Sequence, residues 1–348
     1  MLLNQNRSNP SPRAMATVTI HYDLDTLARA VGDRMDRRAQ PGLHDRMDWF
    51  RLLVRYCPPE DAPFFILAQG ATGGLVLPFS GRAGRARALA NWYSLAWAPV
   101  SWGEDYGLLE MAVRAIRRTG VVTMAPLPAL HAPALADAFR RAGWRAEFRP
   151  DKAHWVADTA GLSFEEYWAR RPSRLRNTVA RKRKKAGLSV EVRDRFDPAA
   201  WAAYESIYAA SWKPSEGAPA FLRALGEQEG AAGTLRLGIA SVDARPVAAQ
   251  LWLVEGGVAT IHKLAYREDA AALSPGSLLS AAMFEHVLTH DRPRIISYGL
   301  GDEPYKADWM DQREDMQVLV ARNPRHPLGA ASLAKASVRR LVKRGAAD

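Results

Sequence analysis

The chain has 348 residues, of which 48% are apolar and 24% charged, so it is long enough for two domains that each bury a hydrophobic core. Its single cysteine, Cys57, excludes an internal disulfide and a cysteine cluster for zinc, and favours a reducing, cytoplasmic compartment. Because no apolar run approaches the roughly 18 to 20 residues that cross a bilayer, we predict no transmembrane segment.

Most of the formal charge of +11 lies in two segments. Residues 163–187 contain nine Arg and Lys against two Glu, and residues 321–348 contain seven against one Asp. These segments hold +7 and +6, so the remainder carries −2 and is nearly neutral. Such dense positive charge favours a polyanionic partner, namely a nucleotide, RNA or an anionic lipid surface. A solvated helix face that keeps the protein soluble would have the same composition.

The first half of the chain follows the order of one α+β unit after a flexible lead-in at residues 1–16. Periodicity and turn residues predict a strand at 18–22, helices at 25–39 and 44–55, strands at 63–69, 74–78 and 90–99, a helix at 105–119, a strand at 121–125, a helix at 132–142 and a strand at 144–156. Asp25 and Asp45 are the predicted acidic starts of the first two helices, and residues 81–87 are a predicted turn.

The second half repeats this order of elements. We predict helices at 196–211 and 218–228, strands at 234–242, 246–255 and 258–266, a helix after Gly276, and strands at 294–300 and 317–321. The halves look like one α+β unit used twice, although no repeat is visible residue by residue. Residues 158–161 are the predicted boundary.

Two basic segments have helical spacing. In residues 163–187, Phe164, Tyr167 and Trp168 share one face, Pro172 restarts the helix, and Gly187 ends it. Residues 331–348 form a second basic amphipathic helix with a modest apolar stripe of Ala334, Val338, Leu341 and Val342. This helix is suited either to peripheral attachment at an anionic inner membrane or to docking on the protein's own surface.

The segment from Ser274 to Ser277 is a turn between a predicted strand and a predicted helix. Pro275 fixes its own φ and Gly276 allows a close approach of the backbone. The helix start would offer free N–H groups and the positive end of its dipole to a phosphate or pyrophosphate. An ordinary strand-to-helix connection is the alternative interpretation.

This turn, SPGSLL at 274–279, and the string YGLGDEPYKADW at 298–309 resemble the GNAT superfamily of acyltransferases. The resemblance is closer to the branch associated with cellulose and exopolysaccharide biosynthesis, which is related to the Fem-type aminoacyltransferases. It is clearest from about residue 167 to residue 320. It implies tandem GNAT-like units, each a mixed, mostly antiparallel sheet flanked by helices. The units would be an N-terminal domain at 17–158 and a C-terminal domain with the donor site at 159–330.

The resemblance also implies an N-acyltransferase that transfers groups other than aminoacyl groups. Its donor would be acetyl-CoA or another acyl-CoA, and its acceptor a small-molecule or saccharide amine, such as an amino sugar or a polysaccharide or cell-envelope precursor. GNAT enzymes bind the CoA pyrophosphate with a Q/R-x-x-G-x-G/A loop, whereas residues 272–277 here contain one glycine. An acyl-carrier protein or an aminoacyl-tRNA therefore stays open as the donor.

Acyl transfer to an amine needs a base, donors for the oxyanion and an acid for the leaving thiolate. Tyr305 is the predicted acid, and Asp302, Glu303 and His262 are the candidate bases. Strand alternation would put His262 and Leu264 on one face and Ile261 and Lys263 on the other. The predicted donor-binding residues are Ser274, Gly276, Ser277, Leu278 and Lys306. The predicted substrate-binding residues are Trp212, Lys213, Arg174 and Trp309.

Each of these residues also has a structural interpretation. Tyr305 and His262 could be hydrogen-bonded core residues, Lys306 a surface lysine, and Asp302 and Glu303 solvated loop acids. No HExxH, Walker A or G-x-S-x-G motif is present, and no histidine spacing indicates a metal, so we predict no metal. Two further hypotheses remain: a Fem-type transferase that uses aminoacyl-tRNA, and a non-catalytic adaptor that binds RNA or anionic lipid.

Overall fold

The computed structural model describes residues 16–104, 107–185 and 187–345. Residues 1–15 of the predicted lead-in, the predicted helix start at Asp105, and the side chains of Leu341 and Val342 lie outside the described part.

The strands are β1 (Thr17–His21), β2 (Pro63–Gln69), β3 (Gly73–Arg82), β4 (Arg85–Ala88), β5 (Val100–Gly103), β6 (Val121–Leu127), β7 (Arg145–Asp158), β8 (Leu188–Arg193), β9 (Leu235–Val242), β10 (Arg245–Glu255), β11 (Val258–Tyr266), β12 (Ile295–Leu300) and β13 (Gln312–Arg322). The α-helices are α1 (Leu24–Val31), α2 (Met47–Tyr56), α3 (Leu108–Ala115), α4 (Ala132–Arg141), α5 (Phe164–Ala169), α6 (Ser173–Lys185), α7 (Pro198–Ala209), α8 (Pro219–Ala231), α9 (Pro275–His290) and α10 (Pro327–Gly345).

The described strands form one sheet in the order β1-β2-β3-β4-β6-β13-β7-β12-β11-β10-β9-β8, with β5 paired to β3. Two of the pairs are parallel, β4 with β6 and β11 with β12, and the other pairs are antiparallel. The chain crosses between the parallel partners through α3 in the first half and α9 in the second. This repeated arrangement confirms the predicted α+β fold of two similar, mostly antiparallel units flanked by helices.

The last strands of the two halves are exchanged at the centre of the sheet. The strand β13 lies between β6 and β7, so the end of the second half pairs with the first half. The far end of β7 in turn pairs with β12. Backbone hydrogen bonds therefore join the two halves twice, where β13 pairs with β6 and β7 and where β7 pairs with β12.

The apolar core also joins the halves. One cluster packs α1 and α2 against α7 and α8, and in it the Trp49 ring meets the edge of Phe221 at 5.4 Å between ring centroids. A second cluster lies under α3 and α4, and a third lies under α5, α6 and α9. Since fully buried aromatic rings from both halves form the first cluster, neither half could expose that face to water without a large loss of buried apolar area.

The predicted strand at 90–99 was wrong, because this segment is a loop. Its polar groups bond to carbonyls of β3 and β6 and to side chains. The Trp97 indole N–H donates to the Pro78 carbonyl at 2.7 Å, and the Trp97 amide donates to the Pro126 carbonyl at 2.7 Å. Two of the aromatic side chains that suggested a strand, Tyr93 and Trp97, are buried and anchor this loop, whereas Trp92 is exposed. The predicted turn at 81–87 contains most of β4 and the end of β3, and β8 was not predicted.

Two helix starts also differ from the prediction. The side chain of Asp23, and not Asp25, caps α1, since it accepts from the Asp25 and Thr26 amides. Asp45 ends a short 3₁₀ turn before α2. The basic segment is broken between α5 and α6, where Pro172 precedes the first residue of α6.

A buried ionic network connects the N-terminal helices to the second half. Arg46 is 1% exposed and pairs with Glu255, while Arg37 bonds Glu229 and Glu255 at 2.6 Å each. Glu229 is 1% exposed and also accepts from the Thr234 hydroxyl at 2.6 Å. The hydrogen bonds from Arg37 and Thr234 lower the pKa of Glu229, although burial acts in the opposite direction. Removing one partner would leave a buried charge uncompensated.

We therefore expect Glu229→Gln to lower the free energy of unfolding by about 3 kcal/mol or more, because the guanidinium groups lose a buried counter-charge. The measurement is the urea unfolding midpoint. Glu227→Gln, in an exposed pair with Arg223 on the same helix, is the matched control and should cost less than about 1 kcal/mol. Equal midpoints for the two variants would contradict the structural role of the network.

Candidate active site

The parallel strands β11 and β12 separate after a short paired stretch. Val258 to Thr260 pair with Ile295 to Ser297, and no pairing follows. A cavity of about 740 Å³ opens beyond the last pair, between residues 261–264 of β11 and residues 298–301 at the end of β12. Loops at 90–95 and 212–214 complete its wall, so both halves of the chain contribute to the cavity.

The residue His262 lies at a β-bulge, where the register of β11 against β10 shifts by one residue. Leu251 pairs with Lys263 and Trp252 pairs with Ile261, which leaves His262 without a partner in the ladder. The predicted alternation is therefore wrong here: Ile261 and Leu264 pack in the same apolar cluster, and all four residues from 261 to 264 line the cavity.

The His262 imidazole is 9% exposed, and neither of its ring nitrogens has a hydrogen-bond partner among the described residues. Burial, with smaller contributions from the charges of Lys263 and His44, lowers its pKa to about 3. The ring is therefore neutral at pH 7 and offers one free acceptor nitrogen. Buried polar groups without partners are rare in native proteins, so this one indicates a place for a ligand.

The residue Tyr305 lies at the edge of the same cavity, on the 3₁₀ turn Pro304–Asp308. Its ring meets the buried Tyr298 ring edge-on at 5.7 Å between centroids, and 41% of the residue is exposed. Burial and the nearby charge of Glu303 raise the pKa of Tyr305 to about 12. The phenol keeps its proton at neutral pH and can donate it in a hydrogen bond.

The loop after β12 is held by Lys306, which is 4% exposed. Its ammonium donates to the Leu300 carbonyl at 2.7 Å and pairs with the Glu303 carboxylate at 2.9 Å. Burial acts to raise the pKa of Glu303, but the hydrogen bond from Lys306, a backbone hydrogen bond and the charges of Lys306 and Lys213 together lower it, so the net shift is downward. Lys306 is thus neither a surface lysine nor a free cation for the donor.

A second ion pair involves Lys263, which also lines the cavity. Lys263 and Glu216 meet at 3.0 Å with side chains only 9% and 11% exposed. The Tyr93 hydroxyl donates to Glu216 at 2.6 Å, and the Lys263 ammonium lies 4.8 Å from the centre of the Tyr93 ring. Sequence reasoning missed Glu216 and Tyr93, because a lone acid in a Pro- and Gly-containing loop and a tyrosine in a predicted strand gave no signal of a shared site.

The residues Trp212 and Lys213 reach the cavity from the loop after α7. The Trp212 ring contacts the Tyr266 ring at 4.3 Å between centroids. The Lys213 ammonium lies 5.8 Å from the centre of the Trp212 ring. Burial, together with the neighbouring charge of Lys263, lowers the pKa of Lys213 to about 8.

The N-terminus of α9 lies close to this aromatic pair. Ser274 has a left-handed backbone, with φ of 55°, and its side chain makes no capping bond. Pro275 has no N–H, and the first helical bond is from Leu278 to the Ser274 carbonyl at 3.2 Å. The amide of Leu278 is thus already used, contrary to its predicted role, which leaves Gly276 and Ser277 as the backbone donors. A Cβ on Gly276 would lie 3.1 Å from the Tyr266 ring.

Three of the predicted catalytic and substrate-binding residues do not line the cavity. Asp302 pairs with Arg313 at 2.9 Å and accepts from the Trp155 indole at 3.1 Å. Arg174 pairs with Asp308 at 2.6 Å on the surface. Trp309 is 3% exposed and stacks on Phe284, so its ring belongs to the core. The structure thus brings together His262, Glu303, Tyr305, Lys306, Trp212 and Lys213 around one cavity, with Ser274, Gly276 and Ser277 at the nearby helix terminus.

Two parallel strands that separate beside a helix N-terminus, in a mixed sheet, define a GNAT acyltransferase-like fold. Residues 173–307 match the family described as an acetyltransferase (GNAT) domain. This match indicates a GNAT-type domain at residues 173–307, and the structures below show that the chain has a Fem-like tandem GNAT fold. No curated protein matches the chain significantly.

Three solved structures are similar in fold. A C-terminal domain assigned to a lysylphosphatidylglycerol synthetase of Agrobacterium fabrum has 15% identity and a TM-score of 0.56, over 91% of this chain and 97% of that one. FemX has 9% identity and a TM-score of 0.54, over 74% and 88%. L-PGS from Bacillus licheniformis has 11% identity and a TM-score of 0.50, over 78% and 86%. At these identities the similarity concerns the fold alone.

Among the described residues, no helix combines the length and apolarity needed to cross a membrane. That part of the chain likewise contains no group of three or more His, Cys, Asp or Glu side chains arranged to hold a metal ion.

The burial of neutral His262 should make stability depend on pH. An unfolded histidine binds a proton as the pH falls below about 6.5, whereas His262 in the folded protein stays neutral down to about 3, so stability falls as the pH falls through that window. Between pH 7 and pH 5 the wild type should lose about 2 kcal/mol more than His262→Gln. Urea unfolding of both proteins at the two pH values measures this difference. Parallel losses would show that His262 is accessible to protons in the folded protein.

Proposed function

We propose that this protein is an N-acyltransferase that moves an acyl group from a CoA thioester to an amine. The observation that carries the proposal is the neutral, buried and unpartnered His262 in one cavity with the protonated Tyr305, beside the α9 N-terminus. The free amides of Gly276 and Ser277 would bind the pyrophosphate of the donor. The thioester would then reach the space between the separated strands.

In the proposed reaction, the amine nitrogen attacks the thioester carbonyl carbon, and the carbon–sulfur bond of the tetrahedral intermediate breaks. The Tyr305 hydroxyl donates a hydrogen bond to the departing sulfur, which stabilises the developing thiolate. His262 accepts a hydrogen bond from the amine N–H and so orients the nitrogen lone pair towards the thioester carbon. With a pKa of about 3, His262 is too weak a base to hold the proton, which passes to solvent at the exposed edge of the cavity.

The acceptor in this proposal is a small-molecule or saccharide amine, and an amino sugar or a polysaccharide precursor remains the expectation from the sequence resemblance. The protein would act in the cytoplasm. The basic helix α10 would provide any peripheral contact with an anionic inner membrane.

A donor of aminoacyl-tRNA type is the second candidate, and the exposed face of α5 and α6 favours it. Leu175 and Val179 turn inward, while four exposed cations have no carboxylate partner among the described residues: Arg170, Arg176, Arg181 and Lys184. The sequence resemblance to the Fem-type aminoacyltransferases implies such a donor, and the fold of this chain is similar to that of FemX. A cationic helix of this kind would bind the phosphates of an RNA.

Thermal stability in the presence of acetyl-CoA, a longer acyl-CoA and bulk tRNA, each added separately, tests the two donors. A ligand at about a hundred times its Kd should stabilise the protein by about 2.7 kcal/mol. We expect acyl-CoA to raise the melting temperature and tRNA to have little effect. Stabilisation by tRNA alone, lost between about 50 and 200 mM salt, would favour the second candidate. A protein that responds to neither acyl-CoA would not be a CoA-dependent transferase.

The substitution Tyr305→Phe removes the proposed hydrogen bond to the leaving sulfur and keeps the ring that packs on Tyr298. We expect kcat to fall roughly 10²- to 10⁴-fold, the usual contribution of such a group, with little change in acyl-CoA affinity. Release of free CoA thiol measures kcat, and a binding titration measures affinity. Tyr22→Phe, at an exposed tyrosine of the first half, is the control. An unchanged kcat for Tyr305→Phe would remove Tyr305 from the mechanism.

A further inference from the structure

The cavity contains cations of two kinds. Lys263 is neutralised by Glu216 at 3.0 Å, and Lys306 is neutralised by Glu303 at 2.9 Å. The two lysine side chains are only 9% and 4% exposed, and their charges are balanced before any ligand binds, although the Glu303 carboxylate itself is 53% exposed. Neither lysine therefore has an uncompensated positive charge that would attract an anion from solution.

Two further lysines line the cavity: Lys152, which is exposed to solvent, and Lys213. Lys213 is half-buried, and among the described residues no carboxylate lies within ion-pair distance of its ammonium. The ammonium lies 5.8 Å from the centre of the Trp212 ring. The charges that act on it come from both pairs, namely Lys263, Glu303, Lys306 and Glu216. A partly desolvated charge of this kind is costly unless it is paired, and its lowered pKa has the same cause.

The position of Lys213 indicates where an anionic partner of its ammonium would bind, namely in the part of the site where the acyl group is transferred. The donor phosphates have their own candidate position at the Gly276 and Ser277 amides. Lys213 instead lines the cavity that contains His262 and Tyr305, where the amine would be acylated. An anion bound there belongs to the acceptor.

We propose that Lys213 binds a carboxylate of the acceptor, so that the substrate is an amine that also carries a carboxylate, whether an amino acid or an acidic amino sugar. This inference rests on the proposed function and restricts its acceptors to amines that also carry a carboxylate. The carboxylate completes a third ion pair, and the uncharged amine of the same molecule faces His262. An amine without a carboxylate leaves Lys213 unpaired and binds less well.

Matched pairs of acceptors test this inference with the full chain and acetyl-CoA. Muramic acid is compared with glucosamine, and phenylalanine with its methyl ester, by release of free CoA. We expect kcat/KM to be at least about tenfold higher for the carboxylate-bearing member of a pair, the usual effect of a charged hydrogen bond. The pairs also separate an amino sugar from an amino acid.

The variant Lys213→Met should raise KM for the carboxylate-bearing acceptor by about 10- to 100-fold, with kcat and the KM of the methyl ester or glucosamine nearly unchanged. Lys213→Arg should restore part of the affinity. Lys335→Met, at an exposed lysine of α10, is the matched control, and Lys213→Gln is a second replacement if the Met variant does not fold.

The outcomes distinguish the carboxylate inference from the N-acyltransferase function on which it rests. If both members of every pair are acetylated with equal kcat/KM, or if Lys213→Met affects both members equally, the carboxylate inference is overturned and the N-acyltransferase function stands. If acetyl-CoA binds but no amine in either pair releases CoA, the carboxylate inference is again overturned. If acetyl-CoA does not bind at all, the proposed function fails as well.

Discussion

The separation of β11 from β12 is the constraint on which the candidate site depends. Two parallel strands held together by three residue pairs must part if a ligand is to reach the sheet between them. The bulge at His262 provides the extra residue that turns β11 away, and it also turns an imidazole into the opening. The helix α9 begins at the same end, so the opening and the positive helix terminus arise from one short stretch of chain.

Around this opening, two of the lysines are balanced by carboxylates. Glu216 balances Lys263 and Glu303 balances Lys306, while His262 and Tyr305 are uncharged at neutral pH. Lys213, in contrast, is half-buried in the cavity wall with no carboxylate within ion-pair distance among the described residues. An environment of this kind favours reactions of uncharged amines, since a protonated amine would meet a cation in place of a base.

Local pattern predicted much of the fold, and β2 and β11 begin and end at the predicted residues. The failures have physical reasons. The segment 90–99 has the aromatic composition of a strand. The partners that hold it as a loop, such as the Pro78 and Pro126 carbonyls, are distant in sequence, so a local pattern does not reveal them. Alternation failed at His262 because a bulge depends on the neighbouring strand. For the site, the string at 298–309 located Glu303, Tyr305 and Lys306, but not which of its residues face the core, as Trp309 does.

The exchange of β13 and β7 has a consequence for how the chain is made. During synthesis, β6 and β7 emerge from the ribosome long before β13, which they must flank. The first half therefore waits with two unpaired sheet edges, and an unpaired edge invites association with other chains. The closing pairs join residues far apart in sequence, a topology typical of slow folding. Nascent chains of this protein would thus be protected from aggregation at these edges only after β13 has been synthesised.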